Sequence, residues 1–177
     1  MAHRLVVLAM ALTAVAVPPA AADPDPLPDL SGYTPVEPED LGKYYNYPTT
    51  YGVNFGTPGG YRCRITYTWK ANPNVKTASC WGDLPGTSYN AVGVTAGMET
   101  APADFRNVDL AAMEQFHGPP PDVPSIRTVD PDSYKLLPAG SKLTFSGSAT
   151  CAAADAMTVC VLGDHGFVLK PDGSRAF

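Results

Sequence analysis

The sequence predicts a mainly β protein: a small antiparallel domain of two units, sandwich or barrel-like, stapled by two local disulfides, with one short helix in its middle. Three observations carry this reading. Tyr61, Cys63, Ile65, Tyr67 and Trp69 alternate with Arg62, Arg64, Thr66 and Thr68, the period-two pattern of a strand with one buried face. Glycine and proline supply 16 and 19 of 177 residues, and both interrupt helices and mark turns. Four cysteines fall into two groups, Cys63/Cys80 and Cys151/Cys160, downstream of an export pattern. Strands and helices do not alternate along the chain, which argues against a doubly wound or barrel enzyme.

Residues 1–22 read as a cleavable signal peptide. His3 and Arg4 form a short basic start, Leu5 to Val17 an apolar run of thirteen residues, and Ala20-Ala21-Ala22 a small-residue cleavage site before Asp23. Thirteen apolar residues are too few to span a bilayer, which needs about 20, so no transmembrane anchor is expected. Cleavage near Ala22-Asp23 would deliver the chain to the extracellular or periplasm-equivalent space. The trimmed chain carries eleven basic against seventeen acidic residues, a net charge of −6. That balance argues against nucleic acid and anionic lipid as partners, since both require clustered Lys and Arg.

Residues 23–30 form a flexible tail rich in Pro and Asp, and 31–177 a single β-rich domain. Ser31 to Tyr51 gathers Tyr33, Tyr44, Tyr45, Tyr47 and Tyr51 among prolines. It is read as an irregular segment lying on the domain, with rings that either pack on a sheet or present a binding surface, Trp81 beside them. Thr57-Pro58-Gly59-Gly60 is a turn into the alternating strand. Asn72-Pro73-Asn74 leads to a second strand around Thr77 to Trp81, and Asp83 to Gly86 turns again. Ala91 to Ala96 forms a short strand. Phe105, Val108, Ala112 and Phe116 stand at helical spacing within Asp104 to Phe116. Gly118 to Pro124 is a proline-rich loop. A strand carries Leu143 and Phe145, and short strands at Thr150-Cys151 and Met157 to Leu162 flank an Ala-rich bend. Pro171-Asp172-Gly173 is a hairpin turn between Gly166–Leu169 and Ser174–Phe177.

Four cysteines allow three pairings. Local pairing, Cys63 with Cys80 and Cys151 with Cys160, is preferred, because intervals of 17 and 9 do not suit the closely paired ligands of a zinc site. An oxidising compartment favours disulfides and removes cysteine nucleophiles. Each half thus contains a cysteine strand, a ring, and a second cysteine running into a glycine turn.

Phe55-Gly-Thr-Pro-Gly-Gly-Tyr-Arg-Cys63 resembles the F-x-[ST]-P-x-G-x-x-C opening of small exported actinobacterial proteins, mycobacterial in type. Leu137-Pro138-Ala139-Gly140, Cys151, Cys160 and His165-Gly166-Phe167 follow in the order of that family. The likeness spans roughly residues 53–177, and the stretch between Lys70 and Ser79 is longer than in the compact form. The family has no established biochemical function. The resemblance therefore implies kinship and compartment, and carries no active site.

Catalytic chemistry is sparse. His165, next to Asp164, invites an acid–base reading, against turn chemistry at Asp164-His165-Gly166 as the alternative. His117 precedes the proline loop and reads as exposed. No G-x-S-x-G nucleophile turn occurs. Asp130/Asp132 and Asp104/Asp109 do not make a calcium loop, and Gly56 to Gly60 lacks the Lys and Ser/Thr of a phosphate loop. No cofactor and no metal are expected. The reading is a secreted or envelope-associated, non-enzymatic protein that binds an envelope or extracellular protein or glycan. Its alternatives are a small hydrolase using His165 and a secreted inhibitor or host-facing ligand.

Overall fold

The alternating stretch in the first half of the chain belongs to a six-stranded antiparallel meander. The computed structural model describes residues 28–119, 125–147 and 149–177. The export pattern of residues 1–22, most of the acidic tail and Pro120 to Pro124 lie outside the described residues. The alternating stretch forms strand β4 (Arg62–Thr68). It pairs with β3 (Thr50–Gly56) on one side and β5 (Val75–Trp81) on the other. β2 (Gly42–Asn46) lies outside β3, and β6 (Ala91–Ala96) and β7 (Thr100–Arg106) continue beyond β5. Register puts Phe55, Cys63, Cys80, Val92 and Phe105 in one row across the sheet, and Val53, Ile65, Ala78 and Val94 in the next. These rows face inward, and all of them except the half-buried Phe105 are buried.

The C-terminal part builds the second sheet in the same way. β10 (Ser141–Phe145), β11 (Ala149–Ala154), β12 (Met157–Leu162), β13 (His165–Lys170) and β14 (Gly173–Ala176) follow one another as antiparallel neighbours. The expected Ala-rich bend is narrower than its composition implies: Ala152 to Ala154 stay in β11, and the chain turns at Asp155-Ala156. β1 (Thr34–Val36) completes this sheet from the opposite end of the chain, pairing in parallel with β10. The two sheets pack face to face through one shared core that includes all four cysteines, Phe55, Ile65, Leu143, Phe167 and Leu169. The architecture is an open sandwich and not a closed barrel.

Both disulfides form as expected. Cys63 and Cys80 are register partners on β4 and β5, with Cα atoms 4.1 Å apart. Cys151 and Cys160 are register partners on β11 and β12, 4.0 Å apart. Each bond therefore crosses one strand pair on its inward face, and the two halves bring their sulfur staples into the same core.

Two expectations change. About half of the tyrosine-bearing stretch at 31–51 is strand, because β1, β2 and the start of β3 run through it. The helix expected over Asp104 to Phe116 contracts to α1 (Leu110–Met113). Phe105 belongs to β7, where it packs against the core, so its helical spacing to Val108 is coincidental. Asp109 caps α1 by accepting from the Ala111 amide at 2.9 Å.

The described residues of segment 107–136, which are 107–119 and 125–136, lie against the outer face of the first sheet. Besides α1 the segment contains a small ribbon of β8 (Gln115–His117) and β9 (Ile126–Thr128). Its two ends are tied to the sheet by Asn90, which bonds both ways with the Val108 backbone, and by Gly56, which exchanges backbone bonds with Lys135 and Leu137.

Candidate functional site

Beneath that segment lies a buried polar cluster. Outward register on the first sheet places Asn54 beside Arg64, and Arg62 beside Trp81. A long cationic side chain there needs partners, since an unpaired buried charge is costly. Arg64 donates from Nε to Asn54 Oδ1 at 2.7 Å and from Nη2 to the Met113 carbonyl at 2.9 Å. Its guanidinium lies over the Tyr44 ring at 3.9 Å and the Trp81 ring at 5.0 Å, a cation–π arrangement.

Glu114, at the end of α1, is the anionic centre. Its Oε1 accepts from Trp81 Nε1 at 2.9 Å and faces Arg62 Nε at 3.0 Å, and its Oε2 accepts from the Tyr134 hydroxyl. Burial, reinforced by that bond to a carboxylate, holds the Tyr134 phenol well above the usual tyrosine range. Burial also raises Tyr44, and the Arg64 charge partly opposes it. Arg64, Glu114, Trp81 and Tyr44 are buried, while Arg62 and Tyr134 are partly exposed. The cluster clamps segment 107–136 onto the sheet, and chemically it holds position instead of presenting a reactive atom.

Trp81, expected at the surface beside the tyrosines, is therefore corrected: it is fully buried under α1. Tyr44 is likewise buried, edge-on to Phe116 at 6.2 Å. Tyr33 lies apart, packed with Leu30 and Phe177 over Ala152, Val159 and Val168 on the outer face of the second sheet. The five tyrosines thus do not form one surface.

Tyr45, Tyr47 and Tyr51 do come together, each about two-fifths exposed. Register aligns Tyr45, Tyr51, Tyr67, Lys76 and Ala96 as the last inward row at one end of the first sheet. The Tyr51 ring sits 5.3 Å from Tyr67 and 5.9 Å from Phe145 of the second sheet. Tyr47 meets Tyr45 at 6.5 Å. Trp69 is also exposed here, its amide bonded to Thr49 in the β2–β3 turn, with Lys70 Nζ over its ring at 4.2 Å. A cleft of about 270 Å3 opens between Tyr44, Tyr45, Tyr51 and Phe145, with Glu39 and Lys43 on its rim. A second, of about 600 Å3, is lined by Tyr67, Asn74, Lys76, Thr100, Leu162 and Gly163.

Tyr67, Trp69, Lys76 and Phe145 were not singled out as site residues from sequence. Their alternation identifies strands, but only the pairing of β3 with β4 and the facing of the two sheets reveals a shared end.

The histidines do not form an acid–base pair. His165 occupies the inward row with Phe145, Ala149 and Leu162, its Nδ1 buried without a hydrogen-bond partner. Asp164 is exposed in the preceding turn. His117 is exposed on β8, where its backbone binds Tyr47 and Asn46. Neither imidazole lines the two aromatic-end clefts. Among the described residues no three His, Cys, Asp or Glu side chains converge as metal ligands, and no helix is long and apolar enough to cross a membrane. Comparison with protein-family models, curated proteins and solved structures finds no match to this chain.

Proposed function

We propose that the chain is an exported, disulfide-braced binding protein without catalysis of its own, acting in the cell envelope or outside the cell. The observation that carries this is the gathering of exposed rings, Tyr45, Tyr47, Tyr51 and Trp69, at one end of the sandwich, where Tyr45 and Tyr51 line an open cleft. Aromatic side chains joining a polar tip to an apolar body are favoured contact residues, and rigid strands hold them at little entropic cost. The leader pattern of residues 1–22 and two oxidised cysteine pairs support an oxidising compartment. The partner is an envelope or extracellular glycan or protein.

The test is retention of the oxidised chain on isolated cell-envelope material. Substituting Tyr45, Tyr47 and Tyr51 together by Ala should lower the retained fraction at least about tenfold, as for hot-spot aromatics. Tyr44 is left intact because it is buried. Equal retention of the triple variant would reject this surface.

A further inference from the structure

The two clefts at the aromatic end share no lining residue, and the Tyr51–Tyr67–Phe145 contacts link their linings. Tyr51 and Phe145 line the first, and Tyr67 lines the second. Register sets Tyr45, Tyr51 and Tyr67 on three successive strands. Strand spacing of roughly 4.8 Å then gives a row of rings about 10 Å long, running across the strands. Lys76 continues the row into the second cleft.

Resting on the binding role proposed above, the geometry points to a groove for a linear, uncharged glycan chain, seated over the Tyr45–Tyr51–Tyr67 row with its ends in the two clefts. Three features select this occupant. First, the row is aromatic, with Tyr51 and Tyr67 tilted 57° to each other, and single ring faces of this kind suit the apolar C–H faces of sugar rings. Tyr hydroxyls, Asn74 and Thr100 supply polar groups around it. Second, the groove's charges nearly balance, with Glu39 against Lys43 and Lys76. It therefore offers no basic track for a polyanion and no acidic track for a polycation. Third, a peptide that binds by strand addition needs a free strand edge, whereas this row crosses the strands. The nearest edge, at β2, already meets β8 through the Tyr47 amide and the His117 carbonyl at 2.8 Å.

The experiment titrates the oxidised chain calorimetrically with cellohexaose, mannohexaose and N-acetylchitohexaose, and with the matching disaccharides. At least one hexaose should bind. Its disaccharide should bind at least about tenfold more weakly, because it reaches one cleft only. Affinity should hold within about twofold between roughly 0.05 and 0.5 M salt. Substituting Tyr51 and Tyr67 together by Ala should weaken hexaose binding at least about tenfold. The Tyr51→Phe/Tyr67→Phe pair, which keeps both rings and guards against misfolding, should retain most of it. Loss in the Phe pair equal to that in the Ala pair would overturn ring stacking as its source. In a parallel arm, a displayed peptide library is panned on the native and Ala-pair chains. No hexaose binding together with peptides captured only by the native chain would overturn the glycan and leave the binding surface standing. No tyrosine-dependent binding in either arm would overturn both.

Discussion

Glu114 accepts from Trp81 and Tyr134 and faces Arg62 while almost wholly withdrawn from water. Removing it strands those donors, so Glu114→Ala should destabilise the chain by about 3 kcal/mol in urea unfolding. The value sits at the low end for a buried pair because the Arg62 side chain remains 28% exposed. Tyr134→Phe removes one charge-assisted bond and should cost about 1.5 to 3 kcal/mol. Tyr134 also makes stability depend on pH, and the direction is fixed by its raised folded pKa. Its contribution is complete below the unfolded tyrosine value of about 10. It declines as pH climbs from there through the folded value, since the unfolded chain loses the phenolic proton first. Tyr44 and Tyr61 are shifted the same way by burial. Unfolding midpoints measured across the alkaline range should fall above about pH 10, and Tyr134→Phe should flatten that fall.

Tight backbone approach dictates residue choice along the strands. A Cβ at Gly52 would run into the Ile65 carbonyl across the β3–β4 pair, and one at Gly166 into the Cys160 carbonyl across β12–β13. Gly52→Ala and Gly166→Ala should each cost about 1 to 3 kcal/mol, the usual penalty for forced overpacking, read as a lowered urea midpoint. Much at this scale was legible in the chain itself. Nine alternating residues gave away β4, Pro171-Asp172-Gly173 marked the β13–β14 hairpin, and the cysteine intervals favoured the observed bonds. The tyrosine-rich stretch was not legible as strand, because β1 spans three residues and β2 alternates Gly, Lys, Tyr and Asn in place of apolar with polar. Nor was the Arg64–Glu114–Tyr134 cluster. Its members lie 50 and 20 residues apart, and no local period links a strand, a helix end and the start of a loop. The aromatic end was half legible: Tyr45, Tyr47 and Tyr51 stood out as a group, while Tyr67 and Phe145 join them only through sheet pairing and sheet packing.

Across the molecule, both disulfides are sealed inside the common core, with all four cysteines fully buried. Closing rings of this size contributes about 3 kcal/mol each, a large part of a typical total of about 5 to 15. Reductant applied to the native chain should act slowly, at the rate of global opening. Thiol titration should find four groups promptly once denaturant is added, and close to none before. Immediate reduction without denaturant would contradict the buried placement. A different consequence follows from β1, which borders β10 although more than a hundred positions separate Thr34 from Ser141. Any delivery that begins at the amino end, from a ribosome or through a membrane pore, presents every strand of the β2–β7 meander before those of the later sheet. β1 must wait, unpaired, for the last third of the polypeptide. Completion of the second sheet is thereby a late event in the life of each new molecule, and the earliest strand to emerge is among the last to find its neighbour.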